Sequence, residues 1–249
     1  EMMDEIVPMM DADFAKLLRR SMRDVSFHLG AKVEAIEGDA VKFVVKGQTE
    51  SVRGDLILMS VGRRPNLQGL ESLGLDLRRQ GVKVNDQMQT NLPGVYAVGD
   101  VTGESLLAHS ASRMAEVAVN VICGEQDHMR YQAIPWAVYT LPECAGCGLT
   151  EQEAEQRGIP VKTASMPMRA NGRFLAEHGK KAPGLCKVVV NAETDVLVGV
   201  HLLGAVSSEM IYGAAAMIEA ELRVQDIKEI IFPHPSVSEM IKDTLWELH

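Results

Sequence analysis

An excess of basic charge is the first thing this sequence lacks: 34 aspartates and glutamates outweigh 25 lysines and arginines, a net charge of −9 over 249 residues. That balance, with no basic stripe along the chain to reverse it, argues against non-specific nucleic-acid binding. Long apolar runs are missing too. The longest apolar helical stretch, 210–222, is interrupted by Glu219 and Glu221. Neither a membrane helix nor a signal peptide is read, so no membrane partner is expected. Only four cysteines are present, which indicates a reducing compartment rather than a disulfide scaffold, and a cytoplasmic location is expected. Internal repeats and low-complexity tracts are absent. A start signal is lacking as well: residue 1 is glutamate, and the opening residues read like the interior of a larger protein. A fragment is expected. The composition itself, 46% hydrophobic and 24% charged, is that of a globular chain long enough to bury a core in one large domain or two.

Apolar spacing organises what is there. Residues 12–24, ADFAKLLRRSMRD, place Phe14, Leu17, Leu18 and Met22 at helical intervals. KVEAIEG (32–38) and AVKFVVKG (40–47) read as a hairpin-like pair of strands, and DLILMSVG (55–62) as a strand covered on both faces. Two short strands are expected within 81–100, then a helix over 108–125 stopped by Gly124, and a linker around 124–130. Beyond it, strands at 137–148, 161–168, 185–192 and 197–204 alternate with helices at 149–158, 207–223 and 237–248. Hairpin-sized gaps followed by helices predict an antiparallel sheet with helices on one face.

Several short motifs have chemistry in them, each with a plainer reading beside it. VYAVGD (95–100) is a strand ending in Gly99 and Asp100, with a helix beginning just beyond at 107–109. Strand ends and helix N-termini are where ligands sit, but a capped strand–turn would look the same. SVGRRPN (60–66) offers two arginines that suit a phosphate or a solvated turn. FPHPSVSEM (232–240) holds His234 between two prolines, with Glu239 following. Pro235 biases His234 toward an extended conformation and Pro233 has its own φ fixed. Ser236-x-x-Glu239 also fits a helix capping box. Cys144 and Cys147 form a CxxC, but strand alternation points them to opposite faces and no second ligand pair completes a zinc site. No metal site is expected. Of the scattered histidines (His28, His128, His178, His201, His249), His201 on an apolar strand reads as a core residue.

VGRRPN, GVYAVGDVTG, LLAH, YTLPE and HPSVSE occur in this order along the chain. Together they make it similar to the C-terminal part of the dihydrolipoamide dehydrogenases, within the pyridine-nucleotide disulfide oxidoreductases, over essentially its whole length. The family's FAD-binding glycine-rich loop, redox-active cysteine pair and NAD-domain glycine-rich loop are missing. The resemblance implies an α/β and α+β architecture. Remainders of doubly wound NAD-binding (1–64) and FAD-binding (65–127) domains would be followed by an antiparallel-sheet dimerisation domain (128–249).

It also implies roles. Glu1 would bind the adenosine ribose of NAD, Val33 would lie near the adenine, and Gly62 would contact the nicotinamide cofactor. Asp100 would bind the ribityl–pyrophosphate region of FAD, with Leu106, Leu107, Ala108 and His109 at the flavin's pyrimidine edge. His234 and Glu239 match the catalytic pair, the histidine serving the active site of the other subunit of a homodimer. The substrate would be a small dithiol or a dihydrolipoamide-bearing protein.

Met114 stands where the family often has glutamate, Ser236 where it often has threonine, and the cysteines of PECAGCG where it has apolar or small residues. Alternatives are a dimerisation module alone, a relative such as glutathione or mercuric reductase, or a pyridine nucleotide transhydrogenase. LLAH favours the lipoamide branch. Without the redox cysteines and the flavin nucleotide loop, the chain by itself is expected to be inactive and to bind FAD weakly or not at all.

Overall fold

The computed structural model describes residues 1–248, so His249 lies outside the described residues. The chain forms two compact units: residues 1–58 with the C-terminal half from Pro135, and Met59–Ile134.

In the first unit, α1 (Ala12–Ser21) forms where helical spacing predicts it and buries Phe14, Ala15 and Leu18. β1 (Ala31–Glu37), β2 (Ala40–Val45) and β3 (Gln48–Arg53) make an antiparallel meander. The third strand was not expected, because QTESVR has no apolar alternation and every residue is exposed. Its cause is the turn. Lys46 and Gly47 both take positive φ, 51° and 79°, the conformation of a two-residue hairpin loop, and Val45 then faces Gln48.

The second unit holds β4 (Leu77–Arg78), β5 (Gly81–Val82) and α2 (Ala108–Ile122). Its core is built on Met88, Met114, Val117, Ala118 and Met129, with Tyr96 and Val98 packed against it. Two expectations fail between residues 55 and 98. Residues 55–62 form no strand, and Leu56, Leu58, Met59 and Val61 stand 70–88% exposed. A strand exists only with a ladder partner, and no described segment pairs with this one. Residues 95–98 likewise make a single bridge, Gln89 to Tyr96, instead of a strand. The linker is firmer than its composition suggests. Asp127 accepts from Arg113 (2.9 and 2.5 Å) and from Asn120 (2.8 Å), which pins it to α2 and holds its carboxyl down at about 2.

The rest of the first unit follows Pro135: β6 (Trp136–Val138), β7 (Cys144–Gly148), α3 (Glu151–Gln156), β8 (Val161–Pro167), α4 (Gly172–His178), β9 (Leu185–Asn191), β10 (Leu197–Leu203), α5 (Ser207–Glu219), α6 (Val224–Glu229) and α7 (Glu239–Trp246). The stretch 137–148 is two strands. α4 and α6 are one- to two-turn helices too short for periodicity to reveal. The five strands pair antiparallel in the order β6-β7-β10-β9-β8.

Register sorts the side chains. Cys147, Val200 and Val188 lie opposite one another, as do Ala145, Leu202 and Cys186, so they share one face. α5 packs on β7 and β10 and α7 on β8 and β9, covering that face as expected. Cys144, Leu203 and Leu185 share the other, where Cys144 and Leu203 pack with Met10, Phe14 and Leu18 of the α1 segment.

His201 and Lys187, paired across β10 and β9, also point to the α1 side. Lys187 Nζ lies 2.9 Å from Asp11 Oδ2 and 2.6 Å from Glu151 Oε2, and Asp11 Oδ1 accepts from the Glu151 amide at 3.1 Å. Asp11 is fully buried and Lys187 is 7% exposed. Burial opposes the charge of Lys187, but the Glu151 and Asp11 carboxylates outweigh it and its pKa ends raised. His201 is a core residue, as read: Nε2 contacts the Leu149 carbonyl at 2.9 Å, and burial pushes its pKa down.

Removing one partner of a buried pair leaves the other charge uncompensated. Lys187→Met is expected to destabilise the chain by about 3–5 kcal/mol in urea unfolding, and the double variant Asp11→Asn/Lys187→Met to recover much of that loss. A loss of under ~1 kcal/mol, the level of an exposed pair, would contradict this reading.

Candidate functional site

His234 lies on the connection between α6 and α7, and that connection is tied at several points. Asn171, which caps α4 by accepting from the Phe174 amide (2.9 Å), donates its Nδ2 to the Ser236 carbonyl at 2.9 Å. Lys242 of α7 donates to the Ile230 carbonyl at 2.5 Å. The His234–Pro235 peptide is cis. Asn171 was missed in the sequence, where its only signal is a capping residue ahead of Gly172.

Glu239 opens α7 and does two jobs. Its Oε2 accepts from the Ser236 amide at 2.9 Å, and its Oε1 and Oε2 lie 2.9 and 3.2 Å from His234 Nδ1. Only half of the capping box forms: the residue preceding α7 is Ser238, and Ser236 Oγ is buried without a partner. The Ser236 amide and then the His234 ring hold the Glu239 carboxyl below its ordinary value. A carboxylate can only accept, so Nδ1 carries a proton, and in the neutral ring the lone pair is then on Nε2. The His234 side chain is 81% exposed and that of Glu239 21%, and Nε2 makes no hydrogen bond among the described residues. This is a base with a fixed tautomer presented outward.

The residues read as nucleotide-binding fall in both units. In the first, Glu1 is fixed beside β1: its carbonyl accepts from Ala31 (2.8 Å), its backbone nitrogen donates to the His28 carbonyl (3.0 Å), and Oε1 accepts from the Met3 amide (2.9 Å). Val33 stands on β1, 53% exposed. In the second, Gly62 has a φ of 91° and is exposed. Asp100 is exposed on a short 3₁₀ turn, Gly99–Thr102, that packs on α2. Gly99 has a φ of 74°, and a Cβ there would sit 3.3 Å from that of Ala111. Leu107 precedes α2 with extended backbone and no side-chain cap, Ala108 and His109 start its first turn, and Leu106 is 39% exposed. A helix start without a side-chain cap, beside a tight glycine turn and an exposed carboxylate, fits the flavin contacts expected there. Met114, in the glutamate position, is fully buried and its sulfur accepts from the Gly99 amide at 3.2 Å.

Cys144 and Cys147 do face opposite sides of β7, and all four cysteines are free. Burial pushes the Cys147 and Cys186 thiols up to about 12 and raises Cys144. Such thiols are packing residues, not nucleophiles. Among the described residues no cluster of histidine, cysteine and carboxylate side chains could hold a metal ion.

Residues 1–115 match the profile of the pyridine nucleotide-disulphide oxidoreductases and residues 134–245 that of the same family's dimerisation domain. The chain belongs to the pyridine nucleotide-disulphide oxidoreductase family. Similar relatives include the dihydrolipoyl dehydrogenase of Thermus scotoductus, 38% identical over all of this chain and 56% of its own length. The mitochondrial dihydrolipoyl dehydrogenase of Pisum sativum is 35% identical over 98% of this chain and 50% of its own. Among solved structures, LpdA from Mycobacterium tuberculosis superposes with a TM-score of 0.86 at 26% identity, covering 98% of this chain and 55% of that one. The chain spans about half the length of the curated relatives it matches.

The Glu239 carboxylate has a depressed folded pKa, so its stabilisation is present above the ordinary glutamate value of about 4.3 and is lost as pH falls through the folded value. Glu239→Gln is expected to flatten the fall in urea midpoint between about pH 5 and 3. Identical pH profiles for the two proteins would show that the amide and imidazole contacts do not stabilise the folded chain.

Proposed function

We propose that this chain supplies the dimerisation domain and the catalytic histidine–carboxylate pair of an FAD-dependent, NAD-linked dihydrolipoyl dehydrogenase. The observation that supports it most is the Nδ1 contact of 2.9 Å between His234 and Glu239, on a connection fixed by Asn171 and Ser236. With Nδ1 held by the carboxylate, Nε2 is the atom that takes a proton from a dithiol and returns it. A thiol attacks only as thiolate, so removal of that proton is the step the residue serves. Glu239 stabilises the imidazolium while the proton is held. The chemistry supplied by bound FAD and NAD is two-electron transfer from dithiol to nicotinamide. Asp100 and Leu106–His109 would hold FAD, the amides at the start of α2 favouring negative charge on it. Glu1, Val33 and Gly62 would hold NAD.

The active form is a homodimer through residues 128–249, in which His234 serves the partner subunit. The dimerisation-domain match and the exposed Tyr212 (77%) and Ile231 (93%) support this part. The division at residues 64 and 127, the dithiol or dihydrolipoamide-bearing substrate and the cytoplasmic location belong to the same proposal. The four free thiols support a reducing compartment. A second reading, another flavin disulfide reductase, is favoured by the likeness to RclA from Escherichia coli, titled an HOCl-induced flavoprotein disulfide reductase (TM-score 0.84, 26% identity, 99% of this chain and 58% of that one).

In the full-length enzyme, His234→Gln is expected to leave flavin content intact and to lower dithiol turnover by at least ~100-fold, the scale of lost general acid–base catalysis. Unchanged turnover would remove the role given to His234.

A further inference from the structure

A cleft of about 830 Å³ lies between the end of α1 and the chain from Pro167 to Leu185, and its walls carry Arg20, Arg23, Arg169, Lys180 and Lys181 but no aspartate or glutamate. All five side chains belong to exposed residues, and none makes an ion pair or a side-chain hydrogen bond among the described residues. Their neighbours are engaged: Glu5 takes both Nε and Nη2 of Arg19 (2.7 and 3.0 Å). Glu177, in an adjoining pocket, is taken by Arg173 at 2.6 Å. The cleft continues past Arg169 and Lys180 along Leu175.

The backbone that presents these cations is pinned. The Met168 amide donates to the Gly184 carbonyl at 3.1 Å, Met168 is fully buried, and a Cβ at Gly184 would lie 2.6 Å from the Met168 Cβ. Arg169 follows that anchor directly, and Lys180 and Lys181 lead into it. On the opposite wall, Arg20 and Arg23 follow the buried Phe14 and Leu18 that dock α1.

Five unpaired like charges gathered in one concavity repel one another, and a chain of net charge −9 has carboxylates enough to neutralise them elsewhere. Arginine forks and lysine ammoniums converging on a cleft of this size match a compact ligand with several negative oxygens, and sites for small molecules span roughly 300–1,000 Å³. We propose that this cleft binds a small molecule carrying two or three adjacent phosphate groups. None of its residues is among those assigned above to the dithiol, FAD or NAD, so the proposal stands apart from that reading.

Sodium tripolyphosphate titrated calorimetrically into the chain at low salt is the test. Expected are saturable binding that weakens as salt is added, at least ~10-fold weaker binding in Arg169→Glu/Lys181→Glu, and unchanged binding in the surface control Arg157→Glu. Arg20→Gln/Arg23→Gln, which alters the other wall without reversing charge, is expected to weaken binding in the same direction. ATP titrated in parallel, read as the part lost in Arg169→Glu/Lys181→Glu, assigns the source of the phosphates. Tighter binding than tripolyphosphate identifies a nucleotide, and equal binding the phosphate chain alone. Absence of saturable binding, or equal affinity in wild type and both cleft variants, would overturn the proposal.

Discussion

The ammonium of Lys187, held between the carboxylates of Asp11 and Glu151, is the interaction on which the first unit depends. Through Asp11 and Lys187 it joins residues 176 positions apart, one just ahead of α1 and the other on β9 of the five-stranded sheet. Apolar packing of Phe14 and Leu18 against Cys144 and Leu203 supplies the bulk of the attraction there, since burial of apolar area is non-directional and roughly proportional to area. The charges supply direction. Asp11 Oδ1 accepts the Glu151 amide and Oδ2 faces the Lys187 ammonium at 2.9 Å; these two contacts resist rotation of α1 about its axis, and the same geometry sets the wall on which Arg20 and Arg23 stand.

Glu239 shows a second economy of the same kind. One carboxylate receives the Ser236 amide at the start of α7 and the imidazole of His234. The helix start and the histidine's tautomer therefore share one acceptor, and neither can move without the other. Asn171 extends this to α4 through the Ser236 carbonyl. An imidazole 81% exposed would otherwise sample several rotamers. Here it is constrained by groups on two helices while Nε2 faces outward.

Much of this was legible in the residues, for physical reasons. α1, α2 and the strands β8, β9 and β10 carry strong apolar patterns, so their existence followed from apolar spacing. His234 and Glu239 were legible because their spacing, prolines and motif context lie within eight consecutive residues. Elements that depend on partners were not. Residues 55–62 have the composition of a covered strand, yet without a paired neighbour they form no regular structure and Leu56, Leu58, Met59 and Val61 are exposed. β3 was invisible because a turn creates it, and α4 because a helix of 7 residues is too short to show a period. The basic cleft was the least legible feature: its cations come from 20–23, 169 and 180–181, and no window of sequence contains them together.

Amide hydrogen exchange on the chain in water tests the docking of α1 most directly, because local opening is reported segment by segment. Amides from Ala15 to Arg20 are expected to exchange as slowly as those of β9 and β10, and Lys187→Met to speed α1 while the sheet stays protected. Exchange of α1 at the rate of a frayed, solvent-exposed helix in the wild-type chain, beside a fully protected sheet, would contradict it.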